Sequence, residues 1–209
     1  VGARIAYSKS VFINCPFDKE YTPLFQAIVF TVFDTGFIPR CSLEIDDASI
    51  VRFSKLLRLI SSCQYGIHDI SRVQLDRVSK LPRFNMPLEL GIFLAAKAFG
   101  NSRQKRKVCL ILDTYPYRYQ VYISDIAGQD PHGHSDNCRR AVSIVRNWLA
   151  TSSRTRIPGG DAIWRRYQKF LKALPAILDA AQLKPNDVSF ADYSRIVSAW
   201  LKNNPWQPR

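Results

Sequence analysis

Acidic side chains are scarce in this sequence. Seventeen aspartates and glutamates stand against 30 lysines and arginines, giving a formal charge of +13, and only Glu20, Glu44 and Glu89 are glutamates. Anionic partners follow, but a positive field suits nucleic acid, an anionic surface or a phosphorylated small molecule alike. No uncharged apolar run reaches the roughly 18 residues a membrane span needs. Val1 to Ser10 has no apolar stretch of the kind that leads a secreted protein. The expectation is a soluble, cytoplasmic protein with no membrane partner. No glycine-rich loop of the GxGxxG or GxxxxGK type is present, which argues against a dinucleotide-dependent dehydrogenase or an NTPase. Cys15, Cys41, Cys63, Cys109 and Cys138 lack CxxC spacing, and four of them lie in or beside apolar runs, so they read as reduced thiols. His132, His134 and Cys138 are irregularly spaced without an evident fourth ligand, and no metal is expected.

With 209 residues and 46% hydrophobic composition, the chain can bury one full core and a small helical appendage. β-Prone runs at Ser10 to Phe17, Phe37 to Leu43, Tyr65 to Ile70 and Lys107 to Asp113 alternate with helical periodicity. The helices run from Glu20 to Thr35, with Gly36 as the stop, from Asp46, Asp47 or Ser49 as N-cap to Cys63, and from Met86-Pro87 to Phe99. Such alternation predicts right-handed crossovers and an α/β fold with an open parallel sheet, in the flavodoxin-like order 2-1-3-4 with a fifth strand at Gln120 to Ser124. Helical patterns at Asn137 to Thr151, Asp161 to Leu183 and Phe190 to Asn203 follow. The expected division is an α/β nucleotide-binding domain over 1–135 and additional C-terminal helices over 136–209, packed on that domain. Charge is uneven across the chain: residues 1–100 carry +3 and residues 101–209 carry +10.

Ligands of open α/β sheets bind beyond the carboxyl ends of the strands. The residues there are polar: Asn14, Phe17 and Asp18 after the first strand, Arg40, Glu44 and Asp46 after the second, His68, Asp69, Ser71 and Arg72 after the third. Glu89 opens the next helix and faces the same crevice.

The segment Asn85-Met-Pro-Leu-Glu-Leu-Gly-Ile-Phe-Leu-Ala resembles the Glu-Leu-Gly helix start of nucleoside 2-deoxyribosyltransferases, whose glutamate attacks the sugar. It also resembles the matching helix of TIR domains that hydrolyse NAD. The text from Val11-Phe-Ile-Asn-Cys-Pro-Phe-Asp through Pro39-Arg-Cys-Ser-Leu-Glu and Gly66-Ile-His-Asp to Glu89 is similar to a group of bacterial TIR-like proteins. The resemblance covers roughly residues 10 to 130. It implies a TIR-like fold, cleavage of the N-glycosidic bond of NAD as substrate, no cofactor, and a role in bacterial antiphage defence or toxicity. It also implies gating by homo-oligomer assembly or an activating partner protein. Glu89 and Asp69 take the catalytic places, and Asn14, Phe17, Arg40, Glu44, His68, Ser71 and Arg72 the substrate-binding ones. The sequence departs in the long stretch, Ser71 to Asn85, between Asp69 and Glu89.

A carboxylate stabilises the oxocarbenium-like transition state of such a cleavage by charge or by attack. Helix N-terminal N–H groups are expected to keep Glu89 ionised, and His68 or Asp69 to supply a proton where the leaving base needs one. Each residue has a plainer reading: Glu89 as a capping residue, Asp69 as a loop cap, Arg40 and Arg72 as solvated charges. The Tyr115-Pro-Tyr-Arg-Tyr-Gln-Val-Tyr stretch suits stacking on a base or on nicotinamide, while its alternation slightly favours an edge strand. Two further functions compete: a non-catalytic nucleotide sensor, and a nucleic-acid-binding module built on the basic half.

Overall fold

The computed structural model describes residues 6–73, 75 and 80–206. Five strands are present in it: β1 (Ser10–Asn14), β2 (Ile38–Arg40), β3 (Tyr65–Asp69), β4 (Val108–Asp113) and β5 (His132–Gly133). The helices between and after them are α1 (Thr22–Asp34), α2 (Arg52–Ser61), α3 (Asn85–Phe99), α4 (Cys138–Ser153), α5 (Gly160–Ala180) and α6 (Phe190–Asn203). All neighbouring strands pair in parallel, in the order β2-β1-β3-β4-β5, so the flavodoxin-like α/β sheet expected from the alternation is the one that forms.

Because successive side chains of a strand point to opposite faces, the sheet builds two cores. Val11, Ile13, Tyr65 and Ile67 face α1 and α4, in an apolar cluster that continues through Val142, Val145 and Leu149 to Ile163, Phe170, Tyr193 and Val197. Phe12 faces the other way, with Leu56, Leu59 and Ile60 of α2 and Phe93 of α3. The helices after residue 136 therefore share one continuous core with β1 and α1. Phe30 of α1 is fully buried there, its ring 5.1 Å from Tyr167, 5.3 Å from Phe170 and 6.0 Å from Trp200. Burial of a side chain of this size stabilises by about 1.5–3 kcal/mol.

Local signals explain most boundaries. Gly36, at φ +81°, takes the left-handed turn that ends α1 and feeds β2. Gly66 is required for packing: a Cβ there would stand 2.7 Å from His68 Nε2 and from the Phe93 ring. Asn137 caps α4 by accepting the Arg140 N–H, and Ser189 with Asp192 forms a reciprocal capping box on α6.

Two expectations are corrected. Gln120 to Ser124 is not a strand but lies across two 3₁₀ turns, Arg118–Val121 and Ser124–Ile126. Tyr119 and Tyr122, three residues apart, both anchor inward, to the Gln129 carbonyl and to Asp113 Oδ2, and a spacing of three selects a turn. The fifth strand is His132–Gly133. Nor do Asp46, Asp47 or Ser49 cap α2: the helix opens at Arg52 after Val51, while Asp47 accepts the Ser49 N–H and hydroxyl in a local turn. Among the described residues no helix is long and apolar enough to cross a membrane, and the five cysteines are free thiols.

Candidate functional site

The period of the strands decides which polar side chains meet. Asn14 and His68, in register on β1 and β3, point to the α2–α3 face. The Asn14 amide donates to the Met86 carbonyl at 2.8 Å and lies 3.1 Å from His68 Nδ1, so it hooks the first turn of α3 to the end of β1. His68 is fully buried between Phe12 and Phe93. Burial, reinforced by the Lys107 charge, pulls its imidazolium down to about 3. Its burial between two aromatic rings opposes the charged form that a proton donor would need.

Asp69 points to the opposite face and is fully enclosed. One carboxylate oxygen accepts the Tyr21 hydroxyl at 2.5 Å and lies 3.0 Å from His134 Nε2; the other accepts the Ser71 N–H at 2.9 Å. His134 Nδ1 accepts the Asp136 N–H at 3.0 Å, which turns Nε2 toward Asp69. Burial pushes the Asp69 carboxyl up, but His134, Ser71 and Tyr21 outweigh it and hold the group below the usual carboxylate range. Asp69 thus ties β3 to the start of α1 and to the turn before α4. The sequence offered His134 only as a metal candidate; its partnership with Asp69 links residues 65 positions apart and leaves no local signal.

Glu89 occupies a different place. It is the fifth residue of α3, beyond the first turn where helix N–H groups act on a charge. Its side chain lines a cavity of about 440 Å³ between α2 and α3, together with Asp46, Arg52, Phe53, Lys55 and Leu88. The segment after β2 and the opening of α3 supply part of the wall, which puts the cavity beyond the carboxyl ends of the strands. Among the described residues none donates a hydrogen bond to the Glu89 carboxylate. Burial pushes this carboxyl up to about 7, with the Arg52 charge pulling the other way. Burial thus opposes the expectation that the helix start keeps Glu89 ionised.

The remaining sequence candidates do not gather around Glu89. Arg40 Nε donates to both Glu44 oxygens at 2.8 Å, so these two neutralise each other. Phe17 stands edge-on to Phe25 at 5.4 Å in a separate groove with Phe190 and Tyr193. Ser71 is buried, its N–H on Asp69 and its carbonyl on Arg118, while its hydroxyl has no hydrogen-bond partner among the described residues. Arg72 is half-buried, and its Nε has no hydrogen-bond partner among the described residues. Neither lines the Glu89 cavity, and neither do Asn14 or Asp69. Residues 74 and 76–79, within the long stretch after β3, lie outside the described residues. Arg52, Phe53 and Lys55 were legible only as part of an amphipathic helix; their clustering at its start was the available signal. Among the described residues no group of three or more His, Cys, Asp or Glu side chains is arranged to hold a metal ion.

Chemically, the cavity offers a carboxyl that exchanges its proton near pH 7, a second carboxylate, two cations and exposed apolar surface. No protein-family model matches the sequence, and no curated protein matches it significantly, so any functional reading rests on this cavity and on the residues that form it.

Proposed function

We propose that the protein cleaves the N-glycosidic bond of a nucleotide, NAD foremost, in the cavity between α2 and α3, with Glu89 as the carboxylate at the reacting carbon. The observation that carries this is the Glu89 carboxyl, without a hydrogen-bond partner among the described residues, lining a cavity beside cationic and apolar side chains. Its anion suits the positive charge that develops on the sugar, and its acid form suits protonation of a departing base. Nicotinamide leaves NAD as a neutral ring and needs only the anion. Asp46 stands in the same cavity as a second carboxylate, while Asp69 acts as a positioning residue that fixes β3 against α1. Self-assembly or a partner protein as the gate, and a bacterial defence or toxicity role, complete the proposal.

The test is release of base from NAD and from a panel of nucleosides and nucleotides, with purified protein and in expressing cells. Glu89→Gln should lower the rate about 100- to 1000-fold, the usual loss for one preorganised electrostatic group, while changing stability by no more than about 1 kcal/mol. Equal turnover by wild type and variant would overturn the assignment. The separation of Asp69 from the cavity favours a second reading, a nucleotide sensor without turnover. That reading requires wild type and Glu89→Gln to bind ligand similarly and release no base.

A further inference from the structure

We infer that this cavity selects a 5′-phosphorylated nucleotide unit over the free nucleoside, with Arg52 and Lys55 holding the phosphate. The inference rests on the glycosidase reading for the role of Glu89, but its physical basis is separate. Arg52 and Lys55 are three residues apart on α2, hence neighbours on one helix face, and both line the cavity. Among the described residues neither forms an ion pair, whereas nearby Arg40 is taken up by Glu44. The free positive charge of the cavity therefore belongs to the α2 wall.

The α3 wall carries the opposite sign through Glu89, and the charge of Arg52 is felt at its carboxyl. Phe53 and Leu88, each about half exposed, supply apolar surface between the walls. A ligand complementary to all three features is anionic at one end, flat and apolar in part, and carries a polarised carbon or hydroxyls toward Glu89. A nucleoside monophosphate unit has this order of groups. Arg offers a fork that matches phosphate oxygens, and Lys adds a mobile point charge. The volume, about 440 Å³, falls in the lower part of the roughly 300–1,000 Å³ range of small-molecule sites. It suits one nucleotide unit, so a dinucleotide would place one half inside and the other over the rim.

The experiment is calorimetric titration of Glu89→Gln protein, in which turnover is slowed, with nicotinamide riboside, nicotinamide mononucleotide, adenosine and AMP, and with inorganic phosphate as competitor. Each monophosphate should bind about 10- to 100-fold tighter than its nucleoside. Phosphate should displace the monophosphates and leave nucleoside binding unchanged. Adding Arg52→Ala and Lys55→Ala together should abolish the preference and keep nucleoside affinity, with an unchanged melting temperature as the check on folding. Equal binding of nucleoside and monophosphate, a preference that survives the double change, or no binding of any of the four would overturn the inference. A phosphate preference without base release at any substrate would leave the phosphate assignment standing and remove the glycosidase reading. Base release from nucleosides and monophosphates with equal kcat/KM would do the reverse.

Discussion

Glu89 and Asp69 are both acids on the carboxyl side of the sheet, and their surroundings push them apart. Asp69 is fully buried against Tyr21, Ser71 and His134, which favour its anion. Glu89 has burial and, among the described residues, no donors, which favours its acid. For a substrate such as NAD, whose base leaves unprotonated, the anion is the working form. Activity should therefore rise with pH through an inflection near 7 and level off above it. Arg52 is the charge that lowers this value, with Lys55 and Asp46 also facing the cavity. Arg52→Ala should shift the inflection upward in a pH–rate profile measured at saturating substrate. An inflection near 4.5, or an unchanged one in the variant, would show that Glu89 does not govern the rate. The linkage has a matching sign in stability: the folded-state pKa is raised, so this group costs stability progressively as pH climbs from about 4.5 to about 7.

Joining of the elements depends on a few buried polar contacts as much as on apolar area. Asp69 holds β3, the start of α1 and the link from β5 to α4 at one point. Tyr21→Phe keeps the ring and removes one donor to this buried carboxylate, which should cost about 1.5–3 kcal/mol in urea unfolding at pH 7. The loss should shrink under acid: the Asp69 pKa is depressed, so its contribution is present above about 4 and disappears as pH falls through the folded-state value. A cost below about 0.5 kcal/mol at pH 7 would mean that water replaces the hydroxyl. The strand and helix order up to β4 was legible because apolar runs and Gly36 mark it without long-range help. The site was less so. His68 and Asp69 are adjacent in a strand, and a period of two forces them to opposite faces, so the sequence itself forbade both from sharing a crevice with Glu89. The Asp69–His134 contact was not readable, and neither was the turn at Tyr119, whose aromatics mimic strand alternation from Tyr115 to Tyr119 but anchor with a spacing of three.

Taken whole, the molecule is layered: α5 and α6 stack on α1 and α4, and the sheet separates that thick side from the thinner α2–α3 side that holds Glu89. Arg166 fastens the outer layer, pairing with Asp34 at 3.0 Å, donating to the Asn204 carbonyl and lying 4.3 Å from the Trp206 ring. Burial, only partly offset by Arg166, pushes the Asp34 carboxyl up to about 6. The thick side also holds every indole of the chain. Trp148, Trp164 and Trp200 pack against its core, Trp206 covers Arg166, and no tryptophan lines the Glu89 cavity. Intrinsic fluorescence is therefore a one-sided reporter. It should follow thermal or urea unfolding of the α4–α6 layer with full amplitude, yet stay flat while a nucleotide saturates the cavity in calorimetry. An emission shift that tracks ligand occupancy would mean that the two sides of the sheet communicate.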